Sequence, residues 1–394
     1  MSQVTTSHNF CYTEDSSYIY KKEPKILFPH NWKQTLKNQP AIIDLFCGSG
    51  GFSLGFEMEG FQTLLGIDYH KPSIETFLYN RSNSNTIGIL GDIRKVNLKS
   101  IKSEWFPNLN EVPITLVAGL PCQGFSLNNR KRNPNDPRNH LFWYYLEAIT
   151  IFKPDFILIE NVTGLKSLAK GFFIKEIIQG IKLYGEIINK DYIIEAPIIL
   201  NAIDYGIPQK RIRLFIFAYH KKFHININKF LKEFQTSKIL TVWDAISDLP
   251  PLKAGEIKEE YEKPPLTPYQ KKLRTNAIKL TCHEAPKHTK ATLLRIAKTL
   301  PGEPLYKNYP QRIRLKWDEP SPTIIAGGIR PQFQFAHPEQ TRGLTVREMA
   351  RLQSFPDWYI FKGGMVQGRV QVGNAVPPLL AKIWAKIIKY MLKI

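Results

Sequence analysis

Cys122 stands in the stretch LVAGLPCQGFS (116–126), where an apolar run ends and a polar loop begins. A free cysteine most often behaves as a small buried hydrophobe. The proline before Cys122 and the polar loop 123–139 after it instead favour a partly exposed, nucleophilic thiol. Glu160, in the segment ENV, also follows an apolar run. A thiol and a carboxyl group that meet in the fold could carry out covalent catalysis.

The segment FCGSGGFS (46–53) predicts a turn that a ligand can approach closely, because glycine has no side chain. Asp68 follows Gly48 by twenty residues, the usual distance to a carboxylate that binds ribose hydroxyls. A nicotinamide dinucleotide is one candidate ligand, but the third glycine of its GxGxxG fingerprint would fall at Ser53. The chain also has no GxxxxGK(S/T) phosphate loop. A ribose-bearing ligand without a pyrophosphate fits better, and S-adenosylmethionine is the common one.

Seven apolar runs alternate with helical stretches and predict strands at 41–46, 63–68, 87–92, 114–120, 155–161, 192–200 and 211–219. Strands buried on both faces and separated by helices indicate an α/β fold with a doubly wound, mostly parallel sheet. Four polar or reactive residues lie at or just past the carboxyl ends of these strands: Asp68, Asp92, Cys122 and Glu160. Because such ends share one edge of a parallel sheet, we expect the four side chains to converge there.

The domain organisation is predicted from where this alternation begins and stops. Residues 1–40 are a polar N-terminal extension without an assigned role, and 41–221 form the catalytic and cofactor-binding domain. Residues 222–340, rich in lysine, proline and threonine, are predicted to form a second, smaller and irregular domain. Residues 341–394 return to the first domain and include QVGNAVPP (371–378), which predicts a turn.

The charge balance favours a polyanionic partner. The chain has 54 lysines and arginines against 34 acidic residues, a formal charge of +20, and such an excess is typical of nucleic-acid-binding proteins. Its four cysteines are widely spaced and form no CxxC pair, so neither a disulfide scaffold nor a metal site is expected. No signal-peptide core and no apolar run long enough for a membrane span is seen in the sequence. The expected protein is reduced, soluble and intracellular.

Eight motifs, taken in order, resemble those of the DNA (cytosine-5)-methyltransferases. They are DLFCGSGGFSLGFE, GID, GDI, GLPCQGFS, ENV, QKRIR, RGLTVREMARLQSFPD and VGNAVPP. The resemblance covers about 41–219 and 341–380, with a variable segment between, and it implies a target-recognition domain at 222–340. It also implies the methyltransferase version of the predicted sheet, with S-adenosylmethionine as cofactor.

The resemblance implies roles for four catalytic residues. Cys122, as thiolate, would add to carbon 6 of cytosine and make carbon 5 electron-rich. Glu160 would contact ring nitrogen 3 and the exocyclic amine. Arg213 would hold the carbonyl oxygen of the base, with Arg211 supporting the site. This is covalent catalysis with charge stabilisation.

The resemblance also implies the cofactor contacts. They are Phe46, Gly48, Gly50, Asp68, Tyr69, Asp92, Ile93, Pro121 and Asn374. Asp68 would bind the ribose, and Tyr69 would lie against the adenine. Asp92 and Ile93 would contact the adenine edge. Pro121 would lie beside the sulfonium, and Asn374 would close the site from the C-terminal segment.

The implied partner is double-stranded DNA, and the target base must be flipped out of the duplex for these groups to reach it. Predicted DNA contacts are Ser126, Arg130 and Arg132 in the loop after Cys122, and Arg330, Gln332 and Gln334 near the end of the recognition segment. The resemblance further suggests a cytoplasmic bacterial monomer that protects DNA in a restriction–modification system, together with an endonuclease that acts on the same site without direct binding. A tRNA cytosine-5 methyltransferase of the same architecture is the main alternative. A catalytically silent DNA-binding relative and a nicotinamide oxidoreductase are less consistent with the motifs.

Overall fold

The computed structural model describes residues 22–121, 141–166, 171–326 and 333–394. Its strands are Lys25–Leu27 (β1), Ala41–Leu45 (β2), Gln62–Asp68 (β3), Ile87–Leu90 (β4), Ile114–Gly119 (β5), Phe156–Val162 (β6), Tyr192–Ile194 (β7), Ile198–Asn201 (β8), Gln209–Lys210 (β9), Ile212–His220 (β10) and Ser321–Pro322 (β11). Its helices are Gly51–Glu57 (α1), Lys71–Tyr79 (α2), Leu98–Trp105 (α3), Phe142–Phe152 (α4), Phe172–Ile187 (α5), Ile227–Glu233 (α6), Val242–Ile246 (α7), Pro268–Arg274 (α8), Lys290–Lys298 (α9), Val346–Leu352 (α10), Gly364–Asn374 (α11) and Pro378–Leu392 (α12).

One large sheet dominates the described part of the chain. Its strand order is β1-β4-β3-β2-β5-β6-β10-β7, and β8 also pairs with β10. The five strands from β4 to β6 run parallel, whereas β1, β7, β8 and β10 pair antiparallel with their neighbours. The predicted doubly wound, mostly parallel sheet is therefore confirmed. The strand order reverses between β2 and β5, so this pair forms the topological switch point where ligands bind in such sheets.

Side chains alternate between two buried faces of the sheet, as the two-residue period of a strand requires. Val117, Leu158 and Phe217 contribute to a core that also contains residues of α1 and α12. Their neighbours Leu116 and Ile157 contribute to a second core together with α4 and α5. Both faces are thus covered by helices, which explains why the strands are apolar throughout.

Three details differ from the sequence prediction. The strand predicted at 192–200 is split into β7 and β8 by Pro197, which has no backbone N–H to donate. The segment 371–378 was expected to be a turn, but helix α11 continues through Asn374 and extended backbone begins only at Ala375. Strand β1 was not predicted, because three residues are too few to show a pattern.

The segment 222–340 contains α6 to α9 and β11 and packs closely on the rest of the protein. Its residues Leu249, Leu273 and Phe335 belong to the same hydrophobic cluster as Trp384 of α12. The predicted domain boundaries stay predictions, since a continuous core crosses the one at 222.

Buried ion pairs join this segment to helix α10 and the residues that follow it. Arg351 pairs with Asp248, and also with Asp357 at 2.7 Å, and all three side chains are buried. Tyr261 donates its hydroxyl to the same Asp357 at 2.6 Å. Breaking one partner of a buried pair is strongly destabilising, so these contacts hold segment 222–340 firmly against the C-terminal segment.

Candidate active site

Residues 46–50, called the glycine turn below, follow β2 directly at the switch point and lead into α1. Phe46 and Gly48 have left-handed backbone, with φ of 64° and 53°. That conformation costs energy for a residue with a Cβ, and strained residues cluster at functional sites. Half-buried Phe46 therefore marks this turn as a place where the backbone is held in a demanding shape.

The glycines of this turn face different surroundings. A Cβ built on Gly48 would meet no atom of the described residues within 4 Å, so they leave this side of the turn open. A Cβ on Gly50 would lie 2.8 Å from the Arg81 side chain and 3.0 Å from the Tyr359 hydroxyl. Gly48 thus leaves room for a ligand, whereas Gly50 is required because the protein itself packs against its back.

Asp68, at the end of β3, reaches this turn. One carboxylate oxygen accepts the Gly48 N–H at 2.9 Å, and the other accepts the His70 N–H at 2.8 Å. Burial raises the pKa of Asp68, and these two hydrogen bonds partly oppose the rise. The Tyr69 backbone N–H also bonds to this carboxylate. Because two carboxylate oxygens offer about four acceptor sites, Asp68 can still accept a further donor such as a ribose hydroxyl. Neighbouring Tyr69 is 54% exposed and offers an accessible ring beside it.

Asp92 lies past the end of β4 and already has partners. Its carboxylate accepts the Arg94 N–H at 3.0 Å and pairs with the Arg94 guanidinium at 2.6 Å. Ile93 is buried and begins the short 3₁₀ turn that follows. An adenine contact by Asp92 would therefore have to share the carboxylate with Arg94.

Glu160 and Arg213 meet across the neighbouring strands β6 and β10. The Arg213 Nε lies 2.8 Å from Glu160 Oε1, and the two side chains are only 12% and 9% exposed. A Cβ built on Gly119, the last residue of β5, would lie 3.7 Å from Glu160 Oε2. The ion pair thus orients a carboxylate beside the end of β5, from which Pro121 leads to Cys122.

Arg211 has a different place from Arg213. Its buried guanidinium donates to the backbone carbonyls of Ile324, Gly373 and Ala375 at 3.0–3.1 Å. These contacts hold the end of α11 against the sheet. Asn374 lies between two of the held residues and is exposed. Arg211 therefore positions the backbone on either side of Asn374, whereas Arg213 pairs with Glu160.

Gln334 is the one predicted DNA contact within the described residues. Its amide oxygen accepts the Ile325 N–H, and its amide nitrogen donates to the Thr323 carbonyl, both at 2.9 Å. Reading a base would require breaking these bonds.

Half-buried Pro121 is the last described residue before the range 122–140, which the structure does not describe. Six of the predicted residues lie outside the described part of the chain: Cys122, Ser126, Arg130, Arg132, Arg330 and Gln332.

Within 22–121, 141–166, 171–326 and 333–394, no three His, Cys, Asp or Glu side chains cluster in a way that could hold a metal ion. In the same ranges no helix is long and apolar enough to cross a membrane.

Comparison with known proteins gives one consistent picture. The family model for C-5 cytosine-specific DNA methylases matches residues 41–390. Type II methyltransferase M.DdeI of Desulfomicrobium norvegicum is 34% identical over 383 residues, covering 89% of this chain and 88% of the relative. Type II methyltransferase M.AgeI of Thalassovita gelatinovora is 30% identical over 433 residues, covering 88% and 98%.

The fold comparison agrees. The crystal structure of a prophage-encoded Escherichia coli protein, described as a DNA modification methyltransferase, superposes with a TM-score of 0.74 at 27% identity. The match covers 90% of this chain and 99% of that one. The matched family acts on DNA by its description, which favours DNA over the tRNA alternative. The chain therefore belongs to the C-5 cytosine-specific DNA methylase family and is a DNA (cytosine-5)-methyltransferase of the restriction–modification type.

Proposed function

We propose that this enzyme uses S-adenosylmethionine to methylate carbon 5 of a flipped-out cytosine through a covalent adduct on Cys122. The observation that carries the proposal is the Glu160–Arg213 ion pair beside the end of β5. The carboxyl group held there lies next to the segment that leads to the Cys122 thiol. From this place it could bind the cytosine ring while the thiol attacks it. The loop after Cys122 and residues 222–340, the proposed recognition segment, would contact the DNA and select the target site.

The fit of the cofactor rests on the glycine turn and Asp68. The open side of Gly48 leaves room for a ligand, and the Asp68 carboxylate beside it can accept ribose hydroxyls. Tyr69, exposed next to it, would contact the adenine, and Asn374 would reach the site from α11. When bound, the cofactor supplies a methyl group on a sulfonium, which an electron-rich carbon can attack.

The chain's own residues would prepare the cytosine. The Cys122 thiolate adds to carbon 6, and the electron pair of the 5,6 double bond becomes available at carbon 5. Glu160 binds at ring nitrogen 3 and the exocyclic amine, where it stabilises the adduct. Arg213 keeps the Glu160 carboxylate in place and would hold the base carbonyl. Once carbon 5 is methylated, loss of its proton and elimination of the thiolate restore the aromatic ring and the free cysteine.

Arg211 enters this proposal as a positioning residue. It holds the segment that carries Asn374 and also the recognition-segment carbonyl of Ile324. The enzyme would act as a monomer in the bacterial cytoplasm, where its DNA substrate is. A cognate endonuclease would cut the same site without binding this protein.

The test is to sequence 5-methylcytosine in DNA from hosts that express the wild type, Cys122→Ala or Cys282→Ala. Cys282 is the matched control, since it is a free, half-buried cysteine in the recognition segment. We expect methylation at one short motif with the wild type and Cys282→Ala, and none with Cys122→Ala. Methylation that survives Cys122→Ala would refute the covalent mechanism. Modified tRNA in place of modified DNA would instead favour the RNA alternative.

A further inference from the structure

The glycine turn is held from behind by two side chains that no motif identifies. Tyr359 donates its hydroxyl to the backbone carbonyl of Ser49, and the Arg81 guanidinium donates to the Gly50 carbonyl at 3.4 Å. Arg81 also donates to the Tyr359 hydroxyl oxygen at 3.4 Å. Both side chains are buried, with exposures of 5% for Arg81 and 0% for Tyr359. Two consecutive carbonyls of the turn thus face one small network.

Arg81 is itself anchored on both sides. Its Nε and one terminal nitrogen contact the Glu57 carboxylate at 2.6 and 3.1 Å, and the other terminal nitrogen donates to the Phe77 carbonyl at 2.8 Å. The guanidinium also lies 4.1 Å from the centre of the Phe77 ring. Because Glu57 ends α1 and Phe77 lies in α2, Arg81 joins the two helices that flank the turn. A planar group with this many contacts has little freedom to move.

Tyr359 is a hydroxyl donor at any ordinary pH. Burial raises its pKa to about 12, against the opposing effect of the nearby Arg81 charge. A Cβ built on Gly50 would lie 3.0 Å from this hydroxyl, so the glycine leaves the space that the hydroxyl occupies. A bond to Ser49 from this direction fixes the rear of the turn and leaves the Gly48 side open.

The other end of Tyr359 is tied to the recognition segment. Its backbone carbonyl accepts from the Arg347 guanidinium at 2.8 Å. The same guanidinium donates to the Thr281 carbonyl at 3.0 Å and to the Thr281 hydroxyl at 2.9 Å. Thr281 lies in the recognition segment, so a chain of two residues connects that segment to the glycine turn. Arg347 is fully buried, which makes these bonds costly to break.

We propose that Tyr359, backed by Arg81, is a positioning residue for the cofactor. It shapes the glycine turn so that the Gly48 side stays open and the Gly48 N–H stays aimed at Asp68. This inference rests on the proposed function, because it takes S-adenosylmethionine to be the ligand of the turn. In this proposal Tyr359 does not touch the cofactor and acts through the backbone of Ser49.

The test compares Tyr359→Phe with Tyr261→Phe in the full-length protein. Both changes remove one hydrogen-bonded hydroxyl, but that of half-buried Tyr261 binds Asp357 and does not touch the turn. Calorimetric titration with S-adenosylmethionine, without DNA, should give a dissociation constant about tenfold higher for Tyr359→Phe, the size expected for one buried hydrogen bond. Tyr261→Phe should bind as the wild type does, although it loses stability.

Hydrogen exchange of the ligand-free protein provides the second measurement. The Gly50 N–H bonds to the Cys47 carbonyl, and the Leu54 N–H to the Gly50 carbonyl, so both amides report on the turn. They should exchange faster in Tyr359→Phe than in Tyr261→Phe. Unchanged affinity and exchange in Tyr359→Phe, or equal losses in both variants, would overturn the inference. A wild type that fails to bind S-adenosylmethionine would overturn the proposed function as well, and so is told apart from failure of the inference alone.

Discussion

Asp44 should make the protein less stable as the pH rises towards neutrality, and Asp44→Asn should remove that loss. Asp44 lies in β2 with 1% exposure and accepts a hydrogen bond from the Ser53 hydroxyl. Its second oxygen has no hydrogen-bond partner among the described residues. Burial raises its pKa from 3.8 to about 7, and the Ser53 bond and the Arg81 charge only partly oppose this.

The direction of this pH dependence follows from the protonation of Asp44 in the folded and unfolded states. Between pH 4 and 7 the folded protein keeps the Asp44 proton, whereas the unfolded chain has lost it. Folding therefore takes up a proton, and the stabilisation present at low pH is lost as the pH rises to about 7. A pKa difference of this size corresponds to a loss of roughly 2.5 kcal/mol between pH 5 and pH 8. An asparagine does not titrate, so any fixed cost of the substitution is the same at every pH.

The assay is urea unfolding of the wild type and Asp44→Asn at pH 5, 6, 7 and 8. The quantity of interest is the difference in free energy of unfolding between the two proteins, which should shift in favour of the variant by roughly 2.5 kcal/mol across this range. Asp191→Asn is the matched control, because Asp191 is exposed beside Lys221 and its lowered pKa keeps it ionised throughout. A difference that stays flat between pH 5 and 8 would refute the argument from burial.

Two further substitutions separate structure from chemistry. Arg211→Lys should lose about 2–3 kcal/mol of unfolding free energy, because an ammonium cannot reach all the carbonyls that the guanidinium holds. Arg213→Lys keeps a charge beside Glu160 and should change stability by about 1 kcal/mol or less, yet lower kcat at least tenfold; equal stability losses in both would contradict the separate roles. His337, whose pKa is lowered to about 3 chiefly by burial, should cost the wild type stability as the pH falls below 6.5. His337→Gln should reduce that acid loss by roughly 2.5 kcal/mol between pH 6.5 and 4.5, and an unchanged acid limb in urea titrations would count against it.

Much of the sheet was predictable, because each strand carries its own local signal. The apolar runs at 41–46, 63–68 and 114–120 coincide closely with β2, β3 and β5. The parallel arrangement alone predicts that Asp68 and Glu160 lie at the same edge of the sheet. What the pattern could not provide was the ion pair of Glu160 with Arg213, since that depends on the antiparallel register of β10 against β6.

The two arginines of QKRIR, Arg211 and Arg213, show more clearly what the sequence alone could not predict. Both were expected to serve catalysis, and residues two apart on a strand would share one face. Arg211, however, lies between β9 and β10 and outside either strand, so that rule does not apply to it. Its guanidinium turns towards residues more than 110 positions away. Only the tertiary fold could separate its role from that of Arg213.

The supporting residues of the glycine turn escaped the sequence for the same reason. Arg81 and Tyr359 are 278 positions apart, and each looks ordinary in its own segment. The ligand-facing residues need a particular local geometry and leave a motif behind. Residues that hold such a geometry from behind need only reach it, and can come from anywhere in the chain.

Buried contacts limit which positions of segment 222–340 are free to vary. Asp248, Tyr261 and Thr281 fall within 222–340, yet they contact Arg351, Asp357 and Arg347 of the C-terminal segment, respectively. A substitution at any of these three would take one side-chain partner away from a buried charged group, at a cost in stability. We therefore expect changes that alter DNA specificity without loss of stability to lie outside this buried network. The irregular sequence of 222–340 suggests that most of its positions can be substituted. Its buried contacts show that only the positions outside them can change without loss of stability.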